Sequence, residues 1–89
     1  PTQREGHISP AKLAHLVLRT PRYDEMMAWY LKVLDAQIAF ESPMISFITY
    51  DEEHHRVAFV NQPQLGDADP MAAGLDHVAF TYESMAHLI

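Results

Sequence analysis

The chain has no cysteine. Disulfides and thiolate metal sites are therefore excluded, and any metal must be held by histidine and carboxylate. Basic side chains are scarce, 6 against 12 acidic ones, for a formal charge of −6. A phosphate backbone is bound by clustered Lys and Arg, so no nucleic-acid partner is expected. No apolar run approaches the roughly 20 residues of a membrane span. No basic-then-apolar signal segment opens the sequence. The simplest expectation is a soluble, cytoplasmic protein with no membrane contact. What is present points to a folded core. Hydrophobic residues make up 48% of the 89, which excludes disorder as the default. The length allows at most one small domain. Such a domain buries only about 60–65% of its unfolded surface and is marginal without help.

An internal repeat organises the rest. Leu13-Ala14-His15-Leu16-Val17-Leu18 returns as Leu75-Asp76-His77-Val78-Ala79-Phe80. Leucine matches leucine, histidine matches histidine, and three apolar positions follow in each copy. Each copy reads as a strand, with Leu13, His15 and Val17 on one face of the first. Thr20-Pro21 is a helix-start signal, and Asp24 and Glu25 in the first turn suit the helix dipole. Met26, Tyr30, Val33 and Leu34 follow the spacing of a buried stripe, so a helix is expected from Pro21 to Leu34. Strands are expected at Gln37–Glu41, Met44–Tyr50 and Arg56–Val60, with Asp51-Glu52-Glu53 as a charged, solvated turn. Two prolines and two glycines mark Asn61–Gly74 as a loop or crossover. Leu75–Tyr82 repeats the first strand, and Glu83–Ile89 reads as the start of a repeated helix. The domain order is thus a flexible arm (1–11), a β-α-β-β-β module (12–62), a connecting loop (63–74) and the start of a second, truncated module (75–89). A lone module exposes a sheet edge and a face that demand a partner.

Four histidines could carry chemistry. A lone histidine in an apolar strand is more often a core residue with a backbone hydrogen bond. Here both copies keep it where packing would prefer Val or Ile, which favours His15 and His77 as ligands converging on one metal. His54 and His55 leave the charged turn. Either they are an exposed turn pair or they move protons near neutral pH. If Arg56–Val60 is a strand, His55, Val57 and Phe59 share a face. Met26, Met27, Met44, Met71 and Met85 read as core filler, and Trp29 and Tyr30 as packing on the helix's inner side. His7 and His87 read as surface residues.

These residues carry a resemblance. Lys12–Leu18 (KLAHLVL), Asp24–Ala36 (DEMMAWYLKVLDA), His54–Phe59 (HHRVAF) and Gly74–Phe80 (GLDHVAF) together resemble the vicinal oxygen chelate superfamily of paired βαβββ modules. HHRVAF followed by GLDHVAF is similar to the type I extradiol ring-cleaving dioxygenases in particular. Trp29-Tyr30 fills the family's aromatic pair. Asp35 stands where glycine is usual, and Asp tolerates the left-handed conformation better than most residues.

The resemblance implies an α+β fold: a βαβββ module with a curved mixed sheet, plus the first strand and helix start of a second module. It implies an Fe(II)-dependent dioxygenase that opens a catechol-type aromatic diol with O2. His15 and His77 would be two metal ligands. His55, or His54 as second choice, would handle the proton. The family's third ligand is a glutamate; Glu83 follows the second strand too closely to match it, and that ligand is expected past Ile89 or from another chain. Mn(II), Zn(II) and Ni(II) are alternatives for the metal. A homo-oligomer, or pairing with the missing second module, is the expected assembly. The alternative functions are a glyoxalase-like metal-dependent lyase or epimerase, and a metal-free, resistance-type ligand-binding module.

Overall fold

The computed structural model describes residues 6–84. Its elements run β1 (Leu16–Thr20), α1 (Tyr23–Val33), β2 (Gln37–Glu41), β3 (Ile45–Thr49) and β4 (Val57–Asn61). The sheet order is β1-β4-β3-β2. β1 pairs parallel with β4, while β3 runs antiparallel to both β4 and β2. This is the expected βαβββ module, an α+β unit with a mixed sheet.

Residue alternation sorts the sheet into two faces. Leu16 pairs with Val57, which pairs with Ile48; Leu18 pairs with Phe59, which pairs with Ser46. These rows face α1. Met27, Ile48, Val57 and Phe59 form the buried core there, with Tyr23, Met26, Tyr30, Leu31 and Leu34 packed against it. Each such large apolar side chain contributes about 1.5–3 kcal/mol on burial. The other row, Val17–Ala58–Phe47–Phe40, lies on the face away from the helix.

The helix starts later than expected and ends as expected, with Leu34 at the C-cap. It begins at Tyr23, not Pro21, with Arg22 at the N-cap and no side-chain cap. The Thr20 hydroxyl instead accepts the Arg22 N–H at 2.9 Å and tightens the turn before the helix. The inner stripe is Tyr23, Met26, Met27, Tyr30, Leu31 and Leu34. Val33 is turned outward, as is Trp29, which packs edge-on against Tyr30 and is 57% exposed. Of the methionines expected in the core, Met26 and Met27 pack there, Met44 and Met71 are exposed, and Met85 lies outside the described residues. At the C-terminus Asp35 has φ +49°. Asp35 N–H bonds to Lys32 O at 3.4 Å and Ala36 N–H to Leu31 O at 3.0 Å. That pair is a Schellman cap, with aspartate in the left-handed position that glycine usually fills.

Two strand expectations change. The first strand is Leu16–Thr20 rather than Leu13–Leu18, because the ladder with β4 opens only at Leu16. Leu75–Tyr82 is not a strand here: no ladder partner among the described residues satisfies its backbone, and alternation alone does not make a strand. It lies as irregular chain beside β1 and α1, where Tyr82 Oη donates to Val33 O at 3.5 Å and Phe80 meets Tyr50 edge-on. Of the second helix start, Glu83 and Ser84 form a bend, and the remainder lies outside the described residues.

Candidate active site

His15 immediately precedes β1, and its imidazole meets that of His55 with ring centroids 4.1 Å apart. His55 stacks on Phe47, centroids 4.5 Å apart and planes 19° from parallel. His54 meets Phe47 edge-on, and its Nδ1 lies 2.9 Å from Nδ1 of His55, so one ring donates and the other accepts. Phe40 packs beside Phe47. Three imidazoles and two phenyl rings therefore share the sheet face away from the helix.

His55 does not share a face with Val57 and Phe59, as strict alternation would give. It precedes the first ladder residue, Val57, and is released from the strand's register. Its ring crosses to Phe47 on the opposite face, while Val57 and Phe59 point into the core.

Charge and burial bear on His55 most. Its pKa is lowered from the ordinary histidine value, first by loss of hydration and then by the neighbouring His15 and His54, with Glu53 opposing. Its neutral form is thereby favoured, the form able to accept a proton.

The segment before His15 is held from across the sheet. Arg56 Nη1 donates to the carbonyls of Leu13 and Ala14 at 2.9 and 2.8 Å. Its Nε and Nη2 grip the Asp51 carboxylate at 2.8–3.1 Å. The pairing lowers the Asp51 pKa and raises that of Arg56. Arg56 and Phe47 were given no role from the sequence. The HHR run and an acid just across the turn are the signals that could have pointed to Arg56.

His77 stands apart from this cluster. Its Nδ1 lies 2.8 Å from Asp76 Oδ2, and both side chains are well exposed. It lines a cleft of about 280 Å³ on the helix side, walled by Leu16, Leu18, Trp29 and Tyr30. His15 lines a different cleft, with Tyr50 and Arg56. Among the described residues no three His, Asp or Glu groups stand close enough to hold a metal ion. Imidazole is the right donor chemistry for iron or zinc, but the described residues do not by themselves make a fitting metal centre. No helix among them is long and apolar enough to cross a membrane.

The βαβββ order, the mixed sheet and the imidazole cluster on its helix-free face define one class of protein. The family model of the glyoxalase/bleomycin resistance protein/dioxygenase superfamily matches residues 12–89, and the chain belongs to that superfamily. Within it, two curated relatives from Rhodococcus globerulus are similar. One is biphenyl-2,3-diol 1,2-dioxygenase 2, 46% identical over 79 residues, which are 88% of this chain and 42% of the relative. The other is biphenyl-2,3-diol 1,2-dioxygenase 3, 44% identical over 80 residues with the same shares covered. The chain thus spans less than half the length of these curated relatives. No solved structure gives a significant match.

Proposed function

We propose that the whole protein is an Fe(II)-dependent extradiol dioxygenase that opens a catechol-type ring with O2, in the breakdown of aromatic compounds. The observation that carries this reading is the His15–His55–Phe47 cluster on the open sheet face. It is supported by 46% identity to a protein named for a dioxygenase reaction on an aromatic diol.

His15 and His77 are the proposed metal ligands, and a carboxylate outside the described residues is the third. That assignment requires the Leu75–Phe80 segment to pair as a strand of a second module rather than lie beside α1. A metal held there would supply Lewis-acid stabilisation of developing charge.

The chain's own residues do the rest. Phe47 and Phe40 give an apolar wall against which an aromatic ring is desolvated. With Nδ1 of His55 donating to His54, Nε2 is left free to take the diol proton and hand it on to an oxygen of the opening ring. Lowered proton affinity keeps that atom ready to accept at neutral pH. His54 holds the ring and is the second choice for the proton.

The proposed domain division is one module over residues 12–62, a connection over 63–74, and a second module beginning at 75. The proposed setting is the cytoplasm, as a homo-oligomer or with the two modules paired.

The test is oxygen uptake on adding a catechol to iron-loaded whole protein, with metal analysis alongside. Uptake with a yellow ring-opened product is expected. No uptake with several catechols sinks the reading, and zinc or nickel in place of iron turns it toward a glyoxalase-like lyase.

A further inference from the structure

We infer that Arg56, oriented by Asp51, is a positioning residue that sets the separation of the His15 and His55 rings. His15 and His55 belong to different parts of the chain, and neither lies within a strand ladder. The β1–β4 pairing brings their backbones near each other, but the spacing of the two rings beyond the ladder needs a further restraint. Arg56 supplies it from the position next to His55.

Its backbone belongs to the sheet: Arg56 N–H donates to Ile48 O at 2.8 Å, and Arg56 O accepts from Leu16 N–H at 3.1 Å. Its side chain then reaches back. One guanidinium nitrogen takes the last two carbonyls before His15, and the other two take the Asp51 carboxylate. All three guanidinium nitrogens are thus engaged, and the side chain is only 13% exposed. The planar fork sets direction as well as distance, which a lysine ammonium does not.

Asp51 is held in turn. The Glu53 N–H donates to its Oδ1 at 3.2 Å. Thr49 Oγ1 donates to the Glu53 carbonyl at 2.8 Å and closes the same turn. One charged pair therefore links the β3–β4 turn, which bears His54 and His55, to the chain entering β1, which bears His15. As a device for catalysis this rests on the proposed roles of His15 and His55; as a restraint on two rings it stands without them.

The experiment is a ring–ring nuclear Overhauser measurement on histidine-labelled protein, with the Tyr30–Phe59 contact as the control for fold. The wild-type protein shows both cross-peaks. Arg56→Met is expected to lose the His15–His55 peak and keep the Tyr30–Phe59 peak. Arg56→Lys, keeping charge but not the fork, is expected to behave like Arg56→Met. Retention of both peaks in Arg56→Met overturns the inference. If Arg56→Met loses both, Asp51→Asn decides: loss of the histidine peak alone supports the inference, while keeping both peaks or losing both overturns it. In the active whole protein, Arg56→Lys should lower kcat about tenfold or more with KM changed less than about twofold, since misplaced groups cost rate. Absence of oxygen uptake in the wild type would remove the proposed reaction and leave the ring measurement standing.

Discussion

The imidazole of His15 lies 4.1 Å from that of His55, centroid to centroid, and His55 in turn lies flat on Phe47. An imidazole packed this way is held in one orientation, as the proposed proton-transfer role of His55 requires. His55→Ala in the whole protein is expected to lower kcat by about 10²- to 10⁴-fold, the usual share of general acid–base catalysis. His55→Phe should do the same while preserving the stack. Steady-state oxygen uptake measures both; a kcat within a few-fold of wild type would remove His55 from the mechanism.

Asp35 holds the left-handed cap of α1 at a conformational cost that glycine does not bear. Asp35→Gly is therefore expected to stabilise the fold by about 0.5–1 kcal/mol. In a domain this small that is a rise in Tm of several degrees, at roughly 4–8 °C per kcal/mol. Thermal unfolding checks it, and a lower Tm would show that the Asp35 side chain contributes more than its backbone costs.

Tyr23 Oη donates to Ser42 O at 2.8 Å and also meets the hydroxyl of Ser46, which is fully buried. Tyr23→Phe leaves Ser46 without that partner inside the core. The expected loss is about 1–3 kcal/mol, the penalty of an unsatisfied buried polar group. Tyr23→Phe combined with Ser46→Ala should recover much of it. Denaturant titration of the two variants decides; equal stability of the single and double variants would dismiss the coupling.

The Asp51 carboxyl is held below its ordinary value of 3.8, chiefly by the Arg56 guanidinium. The folded state therefore binds that proton less readily than the unfolded chain. Its contribution is fully present above 3.8 and is lost as the pH falls below that value toward the folded-state pKa. Acid unfolding of Asp51→Asn should show a shallower dependence over that range than wild type. Identical slopes would mean that the pair forms with no net effect on proton uptake.

The βαβββ order was legible because each element carried its own local signal. The stripe on α1, the alternation in β3 and the charged turn before β4 all agree with the fold. The helix start misled because Thr20 has the chemistry of a cap but sits two residues before the N-cap and uses it on Arg22. The outward rotation of Val33 and Trp29 depends on which side of α1 meets Phe59 and Ile48, a tertiary fact. For the site, the repeat singled out His15, and HHR singled out His54 and His55. Their meeting on Phe47 was not legible, because His55 leaves the strand register just before Val57. Leu75–Tyr82 shows the opposite limit: its residues read as a strand, but a strand is a relation between two segments and not a property of one.

The position of β4 has a consequence for the order of assembly. It is the last of the described strands in sequence, yet it sits between β1 and β3. During synthesis β1 and α1 emerge with no ladder available to them among the described elements, and β2 and β3 can pair first as a hairpin. Only when Val57–Asn61 arrives can β1 join the sheet, closing a long loop at an entropic cost. The step that brings His15 to His55 is therefore the same step that completes the sheet, and the site and the fold become native together.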